Sequence, residues 1–273
     1  MDALLPQDIA LRAESLGADK VRMPVVRLFA LAILAGAFIA FGAIFFAVVQ
    51  VGAAGVLPWG MARLIGGLAF SLGLVLVVIG GAELFTGNTL MVMALAARRI
   101  RLGEMLRAWA IVYAGNFVGA AGTAVLLFLS GQHRFADGAM GDVYLAIGAA
   151  KSALPIIDLF FLAILCNVLV CLAVWLTLGA HSTADKILAV LLPIAAFVAA
   201  GFEHSVANMF FLPMAMLVAD VSHLGQETQP AAIGMAATAR NLLLVTAGNI
   251  VGGGVLVGAV YWFVYLRDRP EVS

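Results

Sequence analysis

Between Arg27 and Arg63 no residue of this chain carries a formal charge. Leu28 to Gln50 alone supplies 23 such residues. At about 1.5 Å per residue this is roughly 34 Å of helix, enough to cross a hydrocarbon layer of roughly 30 Å. Uncharged runs of similar length recur at Ala108 to Ser130, Leu159 to Leu178 and Asn241 to Leu266, each with charged residues near its ends. With the first run they predict spans one, three, four and six. The residues before Leu28 are polar and charged, with no short apolar core or small-residue cleavage site, so they read as an amphipathic helix around Ala10 to Lys20 rather than a removable leader.

Two further apolar segments are too long for one perpendicular crossing and too short for two. Leu64 to Ala97 holds 34 residues with one charge, Glu83, and Ile187 to Ala219 holds 33 with one acid, Glu203, followed at once by His204. Each is about 50 Å if wholly helical. Each is therefore expected to cross once, broken where the polar residues gather: Gly80-Gly81-Ala82-Glu83-Leu84-Phe85-Thr86-Gly87-Asn88 and Gly201-Phe202-Glu203-His204-Ser205-Val206-Ala207-Asn208. Non-helical backbone at that depth is tolerated only against protein or a cavity.

The predicted architecture is all-α and polytopic, with six transmembrane spans of which spans two and five are broken. Its parts are a cytoplasmic amphipathic segment at 1–27, a three-span unit at 28–131, an external loop at 132–158, a second three-span unit at 159–266 and a cytoplasmic tail at 267–273. An even number of crossings puts both termini on one side. Eleven basic residues fall there (Arg12, Lys20, Arg22, Arg27, Arg98, Arg99, Arg101, Arg107, Lys186, Arg267, Arg269) against four opposite (Arg63, Arg134, Lys151, Arg240), which predicts a cytoplasmic location for both ends.

The second three-span unit repeats the first. Gly81-x-Glu83-x4-Asn88 matches Gly201-x-Glu203-x4-Asn208 at identical spacing, and Ala114-Gly115-Asn116-Phe117-Val118-Gly119 matches Ala247-Gly248-Asn249-Ile250-Val251-Gly252. Because each unit has three spans, the copies are inverted about an axis in the membrane plane, and the two breaks are expected to meet near the midplane with their half-helix N-termini directed at whatever sits there. The Gly-x3-Gly pairs at 115/119, 248/252 and 254/258 suit close helix packing. The polar clusters do not, since they cost free energy in lipid and point to a permeation pathway.

Composition narrows the class further. The chain is 64% hydrophobic and 11% charged, far from a soluble domain. Its 15 basic and 15 acidic residues leave no net field for a nucleic acid. Cys166 and Cys171 lie about 140° apart around a helix, which excludes an intrahelical disulfide, and no metal-ligand set surrounds them. No cofactor is expected, and the partners foreseen are lipid and a small solute.

Glu83-Leu84-Phe85-Thr86, Asn167-Val168-Leu169-Val170-Cys171-Leu172-Ala173-Val174-Trp175, Gly201-Phe202-Glu203-His204-Ser205-Val206-Ala207-Asn208-Met209 and Gly248-Asn249 together resemble the formate/nitrite transporter family, over about Met23 to Arg267. The resemblance implies an aquaporin-like protomer in a homopentamer, one pathway per protomer, passing small monovalent anions such as formate, nitrite or hydrosulfide in the cytoplasmic (inner) membrane. It implies a central histidine at His204, a pore-loop threonine at Thr86 and a vestibule lysine at Lys151. Asn167 and Glu203 correspond to the polar neighbours of the histidine, and Asn249 joins the substrate pathway. Phe70 and Phe197 correspond to one hydrophobic constriction, and Leu74, Leu84 and Phe85 to inner constriction residues. Gly87-Asn88 departs from the Ser-Thr often found after the pore threonine. The stretch Ile250-Val251-Gly252-Gly253-Gly254 with Tyr261-Trp262 looks more like the formate branch than the nitrite branch.

His204 is the one histidine well inside a span; His133, His181 and His223 fall at span ends. An anion about 4 Å from an imidazolium, at an effective dielectric near 20, is favoured by about 4 kcal/mol. The expected mechanism is that Lys151 and the half-helix dipoles draw formate in, that it passes the first constriction, and that it takes a proton or a charge-assisted hydrogen bond from His204, which makes the protein channel-like near pH 7 and proton-coupled below it. Thr86 is a candidate hydrogen-bond partner for substrate oxygens. Glu203, of like charge to the substrate, is expected to be buried and to stabilise the break. A water or glycerol channel would require twin Asn-Pro-Ala motifs, whereas Asn88 and Asn208 precede Thr89 and Met209. A membrane subunit of an oxidoreductase would require paired haem-ligand histidines within spans.

Overall fold

The computed structural model describes residues 4–221 and 233–268, and among them every regular element is a helix. His223 and Arg269 lie outside the described residues. The chain starts with α1 (Pro6–Arg22), which has Pro6 in its first turn, Asp8 near its positive end and Lys20 and Arg22 near its negative end. Pro24 then sets the start of α2 (Val25–Gln50). After α3 (Trp59–Gly80) and a break comes α4 (Phe85–Ala96), followed by α5 (Leu102–Leu129). The second half runs α6 (Ala139–Ala153), α7 (Ile156–Gly179), α8 (Thr183–Ala199), a break, α9 (Ser205–Val221) and α10 (Met235–Tyr265).

Among the described residues five helices (α2, α3, α5, α7 and α10) are long and apolar enough to cross a membrane, and α8 with α9 makes a sixth crossing from two 17-residue halves. Helices α3 and α8 both end on a glycine in the left-handed region, Gly81 at φ 74° and Gly201 at φ 77°. The next residue's N–H folds back on the helix in each case, Ala82 to the Val77 carbonyl and Phe202 to the Phe197 carbonyl, both at 3.0 Å. This 6→1 closure ends a helix cleanly where a residue with a Cβ would be strained.

The repeat extends beyond the crossings. Lys20-x3-Pro24 ahead of α2 has its counterpart in Lys151-x3-Pro155 ahead of α7, so α6 is the partner of α1. The stretch 132–158, expected as an external loop, therefore holds a 15-residue helix at its centre. Met140, Tyr144 and Gly148 recur every four residues along its buried face, and the Tyr144 ring meets Phe210 of α9 edge-on at 6.1 Å. That periodicity escapes a reading tuned to 20-residue apolar runs.

Close packing depends on missing side chains. A Cβ at Gly42 of α2 would lie 2.6 Å from the Phe70 carbonyl of α3, and one at Gly248 of α10 would lie 2.6 Å from the Phe160 carbonyl of α7. Helix α10 widens into π geometry over Ile250–Ala259, and at its centre a Cβ on Gly253 would sit 2.6 Å from Cys171 Sγ. The widened turn brings α10 backbone against α4 and α7, directly behind the first break.

Candidate functional site

One asparagine stitches each break to the helices around it. Asn116 of α5 accepts from the Phe85 N–H (2.9 Å) and donates to the carbonyls of Ala32 (2.8 Å) and Glu83 (2.9 Å). Asn249 of α10 accepts from the Ser205 N–H (2.9 Å) and donates to the carbonyls of Ala163 (2.8 Å) and Glu203 (3.0 Å). Both asparagines are fully buried. Each satisfies one donor at the start of a half-helix and one acceptor at the end of the break, groups that lipid would leave unpaired.

A carboxylate, an asparagine and a lysine form the next layer. Glu83 Oε2 lies 2.8 Å from Lys20 Nζ of α1 and accepts from Asn88 Nδ2 at 2.9 Å, while Asn88 Oδ1 accepts from Lys20 at 2.5 Å. On the other break both oxygens of Glu203 accept from Lys151 Nζ of α6, at 2.9 and 3.0 Å, and Oε2 also accepts from Asn208 Nδ2 at 2.7 Å. Gly87-Asn88, the departure noted in the sequence, thus gives the first break the same asparagine as the second.

His204 and Thr86 meet across the two breaks, with His204 Nε2 3.0 Å from Thr86 Oγ1. The Ala207 N–H donates to His204 Nδ1 at 3.1 Å. Nδ1 therefore holds a lone pair, Nε2 carries the proton, and the ring is neutral and donates to Thr86. The Thr86 hydroxyl hydrogen is left for another acceptor. The Thr86 carbonyl, behind it, collects Thr89 Oγ1 (2.7 Å), Asn167 Nδ2 (3.2 Å) and Cys171 Sγ (3.4 Å). Asn167 Nδ2 also reaches the Asn249 carbonyl at 2.6 Å, and its buried Oδ1 has no hydrogen-bond partner among the described residues.

A cavity of about 350 Å³ opens on the α6 side, and Phe70, Phe197 and His204 are among its lining residues. The Phe70 and Phe197 rings meet edge-on at 5.7 Å, and Phe197 lies nearly parallel to the His204 ring at 5.9 Å. A smaller space of about 50 Å³ lies on the α1 side, lined by Gly17 and Lys20 of α1, by Gly87 and Asn88 of the pore loop and by Val174 of α7. Thr86, Leu74 and Leu84 are buried at 0, 2 and 3% exposure and line neither space. Among the described residues no group of three or more His, Cys, Asp or Glu side chains gathers into a metal site.

This geometry has close relatives. A family model described as "Formate/nitrite transporter" matches residues 7–263. The chain belongs to the formate/nitrite transporter family. The formate channel FocA of Escherichia coli K12 is 42% identical, aligned over 99% of this chain and 97% of its own length, and that of Haemophilus influenzae is 40% identical over 94% and 93%. A solved structure described as a pentameric formate channel with formate bound superposes with a TM-score of 0.83 at 41% identity, covering 89% of this chain and 98% of that one. The aquaglyceroporin of Plasmodium falciparum matches with a TM-score of 0.52 at 16% identity, covering 87% of this chain and 99% of that one, a likeness of fold alone.

For a formate/nitrite transporter, the residues picked from sequence fall into two groups. Leu74 and Leu84 are buried in the core, while His204 pairs with Thr86 across the two breaks, and Phe197, edge-on to Phe70, stacks on the His204 ring at the larger cavity. Asn249 does not join them: its amide is committed to backbone on both sides of the break, as Asn116 is in the other half. The Phe85 ring packs on α5, edge-on to Tyr113 at 5.1 Å and to Trp109 at 5.9 Å. Lys151 lines the larger cavity, but its charge is met there by both oxygens of Glu203. Sequence reasoning missed Arg63 in the same cavity and Lys20 beneath the first break. Lys20 could have been found from Lys20-x3-Pro24 and its copy at Lys151-x3-Pro155.

Proposed function

We propose that this protein carries formate and related small monovalent anions across the cytoplasmic membrane, as a homopentamer with one pathway per protomer, and that it transports rather than catalyses. The single observation that carries this reading is the buried His204–Thr86 pair, 3.0 Å apart where two broken helices face each other at the base of a cavity. The formate channels among its relatives, 40–42% identical over nearly the whole length, support the choice of substrate.

Formate enters the α6-side cavity and passes between Phe70 and Phe197. The free hydroxyl hydrogen of Thr86 awaits it, and the Nε2–H of His204, which rests on Thr86 Oγ1, turns to it as a second donor; together they replace part of the hydration it has lost. A neutral ring can give a hydrogen bond but not a proton, because loss of the Nε2 hydrogen would leave an imidazolate. Proton transfer requires the imidazolium, whose Nδ1–H would point at the Ala207 N–H; the ring must leave that partner to take the second proton. Channel-like passage near neutral pH therefore uses the ring as it stands, and proton-coupled passage at low pH uses the ring turned off Ala207. The excess of basic residues on the α1 side supports a cytoplasmic location for that side, with both termini.

Stopped-flow measurements on proteoliposomes with formate, nitrite, hydrosulfide and glycerol test the reading. Anion flux well above that of empty liposomes, with no glycerol flux, is expected. Glycerol flux without anion flux would overturn it.

A further inference from the structure

We infer that Arg63, not Lys151, is the cation that recruits anions to the α6-side cavity. The inference rests on the transport reading above and concerns how substrate first meets the protein. The charged residues lining this cavity are Arg63, Lys151 and Glu203. Lys151 holds both Glu203 oxygens at 2.9 and 3.0 Å, with the two side chains 15% and 5% exposed, so an approaching anion meets this pair as nearly neutral. Arg63 makes no direct ion pair among the described residues; Glu203 attracts it only across the cavity, and both Glu203 oxygens are already taken by Lys151. It donates through Nε to the Ala199 carbonyl at 3.2 Å and through Nη2 to the Val198 carbonyl at 2.5 Å.

Those two carbonyls end α8, where the helix dipole places about half a negative charge at the cavity wall. Uncovered, that helix end would repel an anion just above the Phe70 and Phe197 rings. Arg63 covers it and leaves a net positive remainder, with further guanidinium N–H groups uncommitted among the described residues. The rings of Phe46 and Trp59, each 5.9 Å from the guanidinium carbon, flank the charge and limit its contact with water. Gly201 is set by its backbone, φ 77°, and not by crowding, since a Cβ there would make only ordinary contact with Arg63 Nη2 at 3.4 Å. The guanidinium, two aromatic walls and a glycine at the helix end together make a fixed positive site at the mouth.

The test is the initial rate of formate uptake into proteoliposomes at sub-saturating formate, with ionic strength varied from about 0.01 to 0.2 M, which shortens the Debye length from about 30 to below 10 Å. Wild-type uptake should fall several-fold across that range. Arg63→Gln should raise the half-saturating formate concentration by about three- to tenfold, leave the saturated rate within about twofold, and lose most of the salt dependence. Arg63→Lys should keep most of both. The inference fails if wild-type uptake ignores ionic strength, if Arg63→Gln keeps the wild-type salt response, or if Arg63→Lys is as impaired as Arg63→Gln, which would make the residue only a cap on α8. Absence of formate uptake by the wild type would instead defeat the transport reading itself.

Discussion

At the break between α3 and α4, a buried asparagine from α5 ties the loop to α2, and a glutamate, an asparagine and a lysine close over it. At the break between α8 and α9 the same parts return, from α10, α7 and α6. The two regions differ where the copies carry different residues. Registered on Gly81 and Gly201, Leu84 faces His204, Thr86 faces Val206, and Thr183 takes the place of Arg63. The spaces differ too, about 50 Å³ beneath α1 against about 350 Å³ beside α6. What the halves share holds non-helical backbone inside a membrane, a problem both must solve. What they do not share, an imidazole, a hydroxyl and a guanidinium on a helix end, is the chemistry an anion would meet. Function in an inverted repeat is thus found where the symmetry is broken.

Paired substitutions test that division. The largest effect is expected at the asparagine stitches. Asn116→Ala and Asn249→Ala should each lower stability by about 3–5 kcal/mol, since each leaves several buried backbone groups unpaired. The two losses should agree within about 1 kcal/mol; denaturant titration of the detergent-solubilised protein measures both. If Asn249→Ala kept wild-type stability and lost only transport, Asn249 would return to the pathway.

The lysines come next and should be unequal. Lys151→Met strands Glu203, whose side chain is 5% exposed, and should cost about 2–4 kcal/mol. Lys20→Met strands Glu83 at 10%, with Lys20 itself at 26%, and should cost about half as much on the same titration. An effect close to that of Lys20→Met is expected from Gly248→Ala. Its methyl group would meet the Ala163 methyl and the Phe160 carbonyl, both at 2.6 Å, and separating α7 from α10 should cost about 1–3 kcal/mol.

The crossings and both breaks were legible because charge-free runs and glycine-flanked polar clusters leave few alternatives in lipid. His204 and Thr86 stood out for the same reason, as polar groups within otherwise apolar segments. An asparagine that stitches backbone and one that lines a pore look alike in a single copy, so the stitching by Asn249 was legible only beside its twin Asn116. The packing of Phe85 was hidden in a similar way, since Tyr113 and Trp109, which hold its ring, lie more than 20 positions along the chain. Arg63 was hidden by position, as an arginine four residues into a crossing reads as a snorkelling end residue. The pairing of Lys20 with Glu83 joins residues 63 positions apart and depends on where α1 folds back beneath the break.

His204 is the polar group that distinguishes the second break from the first. Formate uptake by proteoliposomes across pH 5 to 8 should be compared for wild type and His204→Leu, the substitution that makes the two breaks alike at this position. Wild-type uptake should change with pH, while the variant should fold and assemble as before with low, pH-independent uptake. A His204→Leu protein that keeps the wild-type rate and pH profile would contradict the account.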